Sequence, residues 1–271
     1  MKELQLGNVG GRIIQFLHAN AYPPGCYHQF LSSLSDFDIR LPYQRPMWDG
    51  ADANSFKSWR QFSVDIEQHM SEKSLHQVIG MGHSMGGIVS LIAAHRNPER
   101  FSELILIDPV ILPGMLVSVL SRLPYALTKK FLPIVEIAAR RKNVWKDRQE
   151  AKTYLLSKKV FQRFDPQSLD DFVAFGLKET TDGVTLSFPR EWESHIYATA
   201  PNIWSVLKKI KTPITIIKAQ YSDVITSKVW EKIRRINPNA QLLEFPDAGH
   251  LMPFEQPQQL ATVIKEVISN R

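Results

Sequence analysis

One serine stands among glycines in residues 78–96, VIGMGHSMGGIVSLIAAHR, between an apolar run and a stretch with helical spacing. The five residues GHSMG around Ser84 fit the pattern G-x-S-x-G, which marks a nucleophilic serine when a strand precedes it and a helix follows. The run Val78 to Gly82 and the stretch from Met85 onward supply that context. Glycines two positions to either side permit a strained turn at the serine. We therefore interpret Ser84 as the nucleophile of an acyl transfer.

A serine hydroxyl needs a base to become a nucleophile, and the base needs an acid to hold its tautomer. His250 follows the last predicted strand, in a short loop, and Asp223 lies just past the strand Ile214 to Ala219. The order Ser84, Asp223, His250 is the order expected when the serine occupies a strand-to-helix turn. The sequence therefore predicts a Ser84-His250-Asp223 triad.

Other polar residues near these motifs allow different interpretations. Asp108, at the end of the strand Leu104 to Ile107, is the alternative acid; Asp108 and Asp247 each adjoin a proline, which also fits turn chemistry. His18 and His83 are interpreted as structural hydrogen-bonding groups. Cys26, the single cysteine, is interpreted as core packing.

Short runs rich in β-branched residues alternate with helical patterns, which favours a mostly parallel α/β sheet wrapped by helices. The predicted strands are Arg12–Leu17, Ile39–Pro42, Val78–Gly82, Leu104–Ile107, Ile214–Ala219 and Gln241–Phe245. The predicted helices are Cys26–Leu34, Ser55–Met70, Met85–His95, Ser227–Ile236 and Pro257–Ile268.

The alternation stops between Leu112 and about Lys209, where helical spacing, as at Leu116, Val119 and Leu120, is interrupted by prolines. We interpret residues 114–209 as a helical cap inserted between two strands, and residues 1–113 and 210–271 as one core. A cap over a serine leaves an apolar pocket for substrate, so the expected partner is a hydrophobic small molecule.

Together these motifs resemble the α/β-hydrolase superfamily, in particular its cap-bearing serine esterases with GHSMGG around the serine. The resemblance covers essentially the whole chain and implies the α/β-hydrolase fold, with a helical cap between core strands. It implies a carboxylesterase-like or lipase-like hydrolase that cleaves an ester through an acyl-enzyme on Ser84 and uses no cofactor. Lactone, thioester and carbon–carbon bond hydrolysis on the same triad remain alternatives, as does a non-catalytic ligand-binding protein.

The resemblance also points to the segment FLHANAYP, residues 16–23. Family members carry His-Gly after an early strand, and a backbone N–H there completes the oxyanion hole; here Ala19 replaces the glycine. We assign the N–H groups of Asn20 and Met85 as the two donors. Met85 begins a helix whose free N–H groups and positive dipole end point toward the serine.

A second interpretation of the glycines is a pyrophosphate cradle formed by Gly80, Gly82 and Gly86. The last glycine comes one position late for that fingerprint, and the cradle leaves the placement of Asp223 and His250 unexplained. No histidine pair has metal-ligand spacing, so no metal is expected.

Positive charge is concentrated in one part of the chain. The net charge is +6, yet Lys129 to Arg163 hold eleven basic and three acidic residues, a net charge of +8. Such a segment is either a solvated helical face or a surface that docks on anionic membrane. No nucleic-acid recognition motif accompanies the charge, so no nucleic-acid partner is expected.

The sequence also carries expectations about location. The first residues do not read as a signal peptide, and no run of about 18 apolar residues is present. With one cysteine, these features predict a soluble, cytoplasmic protein. The sequence does not specify an oligomeric state.

Overall fold

A seven-stranded sheet lies at the centre of the computed structural model, which describes residues 1–114, 117–118 and 123–270. The strands of the described residues are β1 Glu3–Gly7, β2 Ile13–Leu17, β3 Asp38–Pro42, β4 Val78–His83, β5 Phe101–Ile107, β6 Val144–Trp145, β7 Leu177–Thr180, β8 Gly183–Leu186, β9 Ile214–Tyr221 and β10 Gln241–Gly249. The large sheet has the order β1-β3-β2-β4-β5-β9-β10, and β6, β8 and β7 form a second, small sheet. Every pairing in the large sheet is parallel except that of β1 with β3.

Helices connect most of these strands. The α-helices whose bounds the structure describes are α1 His28–Ser32, α2 Arg60–Glu72, α3 Met85–Arg96, α4 Tyr125–Phe131, α5 Pro133–Arg140, α6 Arg148–Leu156, α7 Pro166–Phe175, α8 Arg190–Ala198, α9 Trp204–Lys209, α10 Ser227–Ile236, α11 Met252–Glu255 and α12 Pro257–Ser269. Short 3₁₀ helices cover Pro24–Tyr27, Arg45–Met47, Ala53–Ser55, Pro98–Arg100 and Lys159–Phe161. In the described ranges, no helix has the length and apolar character needed to cross a bilayer.

Two apolar layers cover the faces of the large sheet, because successive strand residues point to opposite sides. On β5, Leu104 and Leu106 face a cluster that includes α2, α3 and α10, while Ile105 and Ile107 face a cluster that includes α1 and α12. Such double coverage explains why the central strands are nearly continuous apolar runs. The α/β architecture predicted from the sequence is confirmed.

The segment between β5 and β9, residues 114–209, is called here the inserted segment. It holds helices α4 to α9, as the helical spacing predicts, but also the small sheet, which was not predicted. A two-residue connection joins β7 to β8 before Gly183, whose φ of +128° suits glycine. Part of the predicted helical stretch, residues 115–116 and 119–122, lies outside the described residues.

Candidate active site

Ser84 occupies a sharp turn between β4 and α3, with a φ of +53°. Its N–H donates to the Ile107 carbonyl at 2.9 Å, which fixes the turn against β5. Gly82 and Gly86 make the turn possible, because a Cβ on Gly86 would lie 2.0 Å from the Leu17 carbonyl oxygen and one on Gly82 would lie 2.4 Å from the Gly86 backbone. The serine residue as a whole is 8% exposed.

The strand register brings an aspartate beside this serine. His83 on β4 pairs with Ile107 on β5, so the next residues, Ser84 and Asp108, leave the sheet side by side. Both have positive φ, +53° and +37°, at the carboxyl ends of adjacent parallel strands. This is the edge at which open α/β sheets collect functional groups.

His250 joins the two side chains. Its Nε2 lies 3.0 Å from Ser84 Oγ and its Nδ1 lies 2.7 Å from Asp108 Oδ2. The carboxylate accepts the Nδ1–H, which leaves Nε2 free to accept the serine proton. Asp108 is fully buried, whereas the His250 side chain is 23% exposed. The three groups therefore have the arrangement of a nucleophile, a base and an orienting acid.

The acid on His250 is Asp108, which corrects the expectation that Asp223 holds this position. Asp223 is exposed in the loop after β9. Because β9 lies next to β5, the Ala219 N–H and the Ser222 hydroxyl reach the Asp108 carboxylate, at 3.1 and 2.9 Å. Strand β9 and the loop after it thus supply one donor each to the acid, through Ala219 and Ser222.

Sequence reasoning missed Ser222 as a site residue. Its Oγ donates to Asp108 and accepts the N–H groups of Val224 and Ile225, at 3.3 and 3.0 Å. Serine followed by aspartate just after a strand is a turn signal that could have drawn attention to this side chain. Ser222 thus ties the acid to the loop after β9.

The loop after β2 lies beside the nucleophile turn, because Leu17 pairs with Gly82. The Ala19 N–H donates to the Tyr27 hydroxyl at 3.0 Å and is therefore engaged. The backbone N–H groups of Asn20 and Met85 donate to no acceptor within the described residues. The Asn20 side chain donates to the Glu193 carbonyl on α8 at 3.1 Å, which fixes the loop against the inserted segment.

A buried chain of hydrogen bonds connects this loop to the histidine loop. Tyr27 Oη and His83 Nδ1 are 2.9 Å apart, and His83 Nε2 lies 2.9 Å from the His250 carbonyl. Burial, aided by the nearby His250, holds the pKa of His83 well below its usual value, so the ring is neutral. Because a carbonyl only accepts, Nε2 carries the proton and Nδ1 accepts from the tyrosine hydroxyl. His83 and Tyr27 thus hold the backbone of His250 in place.

His18, in the loop after β2, is buried, and only one of its two ring nitrogens is hydrogen-bonded within the described residues. Its Nδ1 donates to the Ala19 carbonyl at 2.8 Å, and its Nε2 has no hydrogen-bond partner among the described residues. Burial lowers the pKa of His18 from 6.5 to about 4, with the Ala19 carbonyl opposing the shift. A proton on this ring would create a buried charge without a second acceptor.

This lowered pKa predicts a loss of stability in mild acid. Between pH 6.5 and about 4 the unfolded chain binds the His18 proton and the folded chain does not, so the free energy of unfolding falls as the pH falls. The contribution of His18 reaches about 3 kcal/mol near pH 4. Urea unfolding across this range should show a shallower pH dependence for His18→Asn than for the wild type.

The control for this experiment is His76→Asn, which removes an exposed histidine. Its pH profile should run parallel to that of the wild type. Equal pH slopes for His18→Asn and the wild type would contradict the prediction.

Other candidate groups pack as parts of the core. Cys26 is buried, and burial raises the pKa of its thiol, so it is held as the uncharged thiol. A Cβ on Gly80 would meet the side chains of Leu104 and Phe101, so this glycine faces protein atoms rather than a ligand. No cluster of three His, Cys, Asp or Glu side chains within the described ranges could hold a metal ion.

A cavity of about 590 Å³ lies between the loop after β2 and the inserted segment. Tyr22, two residues after Asn20, lines it from the loop. Tyr197 and an ion pair of Arg141 with Glu193, 2.7 Å long, line it from the inserted segment. Burial raises the pKa of both tyrosines, so their hydroxyls are neutral donors. Further aromatic side chains line the wall: Trp145, Tyr154 and Phe161.

Most of the chain is similar to known proteins. A family model described as "Alpha/beta hydrolase family" matches residues 16–263. The uncharacterized hydrolase YugF of Bacillus subtilis is 23% identical over 269 residues, which cover 90% of this chain and 88% of that protein.

Solved structures share the fold. A structure of E-2-(acetamidomethylene)succinate hydrolase superposes with a TM-score of 0.80 at 16% identity, covering 98% of this chain and 94% of that one. A marine microorganism esterase superposes with a TM-score of 0.70 at 22% identity and covers 98% of both chains.

Proposed function

Since this chain belongs to the alpha/beta hydrolase family, we propose that it is a serine hydrolase that cleaves a carboxylic ester of a hydrophobic small molecule. The observation that carries the proposal is the pair of contacts of His250, with Ser84 Oγ at 3.0 Å and with Asp108 at 2.7 Å. A serine, a histidine and a buried carboxylate in hydrogen-bond series form an activated nucleophile.

In the first half-reaction, Ser84 Oγ attacks the ester carbonyl while His250 Nε2 takes its proton. The side chain of Asp108 stabilises the imidazolium that forms. The N–H groups of Asn20 and Met85 are proposed to hold the oxyanion of the tetrahedral intermediate. His250 then returns the proton to the alcohol oxygen as the carbon–oxygen bond of the ester breaks, leaving an acyl group on Ser84.

In the second half-reaction, water attacks the acyl-enzyme. His250 takes one proton from the water and then returns it to Ser84 Oγ as the carbon–oxygen bond to the serine breaks, which releases the free acid and regenerates Ser84. The buried carboxylate, held by Ala219 and Ser222, supports the same tautomer of His250 in both halves.

The cavity supports a substrate with an apolar part. Its aromatic wall suits a hydrocarbon or aromatic group, and Tyr22 lies close along the chain to the proposed oxyanion donor Asn20. We therefore propose that the cavity takes the apolar group of the ester.

A fluorophosphonate probe tests whether the serine is activated. The expected result is one covalent adduct per chain at Ser84, because Oγ displaces fluoride from phosphorus while His250 takes the proton. Mass spectrometry of the intact protein and of its peptides locates the adduct. The control is Ser90→Ala, which removes a buried serine from the same helix and should leave labelling unchanged.

Absence of an adduct on the folded wild type would overturn the proposal and favour a ligand-binding protein. Labelling without ester turnover would retain the activated serine and direct the search to lactones, thioesters or carbon–carbon bonds.

A further inference from the structure

The cavity of the inserted segment opens through an apolar rim. Ile134 and Ile137 on α5, together with Val160, line the cavity and are exposed to solvent. Phe131, at the end of α4 and three residues before Ile134, is also exposed. We call these four residues the apolar rim. Solvent exposure of neighbouring large apolar side chains marks a surface that contacts something other than water.

The same opening carries positive charge. Arg140, Lys142 and Lys158 line the cavity and are exposed, and the acid in its described lining, Glu193, is buried. Glu136 and Glu150 pair with Arg140 and Lys142 at the surface, but exposed ion pairs are weak and exchange readily. Lys158 lies over the Tyr154 ring, 4.2 Å from its centroid. The opening thus combines hydrocarbon and cationic groups.

We propose that this face docks on the surface of an anionic lipid bilayer. The apolar rim enters the boundary between headgroups and acyl chains, and the three cations contact lipid phosphates, the arrangement that interfacial amphipathic helices use. The net charge of +8 between Lys129 and Arg163 provides longer-range attraction to an anionic leaflet. Charge complementarity and exposed hydrocarbon on one face together favour a lipid surface over a purely polar partner.

Docking would give the cavity a direct connection with the lipid. The cavity, about 590 Å³, extends from the apolar rim to Tyr22 in the loop after β2. An acyl chain would then enter the cavity directly from the bilayer. This consequence rests on the proposed function, whereas docking itself does not require hydrolysis.

Vesicle co-sedimentation of the 271-residue chain tests the docking. The probes are phosphatidylcholine vesicles with and without phosphatidylglycerol, at low and high salt. We expect the wild type to sediment with anionic vesicles only and to be released by salt. Ile137→Glu and Lys158→Glu should each weaken the partition by about tenfold or more, since both place a negative charge at the lipid surface.

Matched variants elsewhere on the surface control for the general effect of an added negative charge. Val9 is 71% exposed and Ile137 is 68% exposed, so Val9→Glu introduces the same charge at an equally open position away from the inserted segment. Lys228→Glu on α10 reverses the same charge elsewhere. Both controls should bind as the wild type does, and fluorophosphonate labelling of the wild type, measured without vesicles, distinguishes failed docking from a failed active site.

Three results would overturn the proposal. The first is equal sedimentation with neutral and anionic vesicles, and the second is equal weakening of binding in the control variants. The third is a dimer in light scattering that Ile137→Glu dissociates, with no binding to anionic vesicles; a second copy of this chain would then cover the apolar rim.

Discussion

Ser84→Ala is expected to lower kcat for p-nitrophenyl esters on the order of 10⁶-fold, the size of effect seen when a triad nucleophile is removed. Without Oγ there is no acyl-enzyme, and only the binding pocket and the oxyanion donors remain to assist attack by water. Steady-state and burst kinetics on esters of increasing acyl length measure both the loss and the preferred chain length. The burst of p-nitrophenol should disappear with the serine.

Ser90→Ala serves as the control in this series, because Ser90 is buried in α3 but lies outside the contacts of His250. Its kcat should stay within a few-fold of the wild type. Residual turnover by Ser84→Ala within tenfold of the wild type would show that the hydroxyl of Ser84 is not the nucleophile.

Asp108→Asn is expected to lower kcat by about 10⁴-fold while the protein stays folded. The amide preserves the shape of the side chain but presents an N–H donor, which stabilises the wrong tautomer of His250 and cannot balance the imidazolium charge. Stopped assays across pH, with circular dichroism to verify folding, provide the measurement.

Asp223→Asn is the matched comparison, because Asp223 is exposed and the Nδ1 of His250 is already paired with Asp108. Its kcat should change by less than about tenfold. If Asp223→Asn gave the larger loss, the loop after β9 would have to rearrange during turnover, and the assignment of the acid to Asp108 would fail.

The acid illustrates what the sequence could and could not predict. Both Asp108 and Asp223 follow a predicted strand, and both satisfy the chain order serine, aspartate, histidine. The choice depends on three-dimensional register: His83 pairs with Ile107, which places Asp108 directly beside Ser84. Nothing local to either aspartate encodes that pairing, so sequence reasoning could name both candidates but could not choose between them.

The secondary-structure predictions also depended on the strength of the local sequence signal. The helix predicted over Ser227–Ile236 forms with those bounds, because its apolar spacing is regular and Thr226 caps its first turn. Strand β1 was missed because it is a short edge strand with little burial. The hairpin of β7 and β8 was also missed, although Asp182-Gly183 at its turn is a hairpin signal.

His250 lies 142 positions after Asp108 and 166 positions after Ser84 in the chain. The inserted segment lies between Asp108 and His250. During translation, Ser84 and Asp108 therefore emerge well before their base. A nascent or prematurely terminated polypeptide that ends before Gly249 lacks the group that would deprotonate the serine. Under the proposed mechanism, the chain has no ester hydrolase activity until His250 has been synthesised. The onset of hydrolysis therefore indicates that the carboxyl-terminal part of the chain has packed against the strands that carry Ser84 and Asp108.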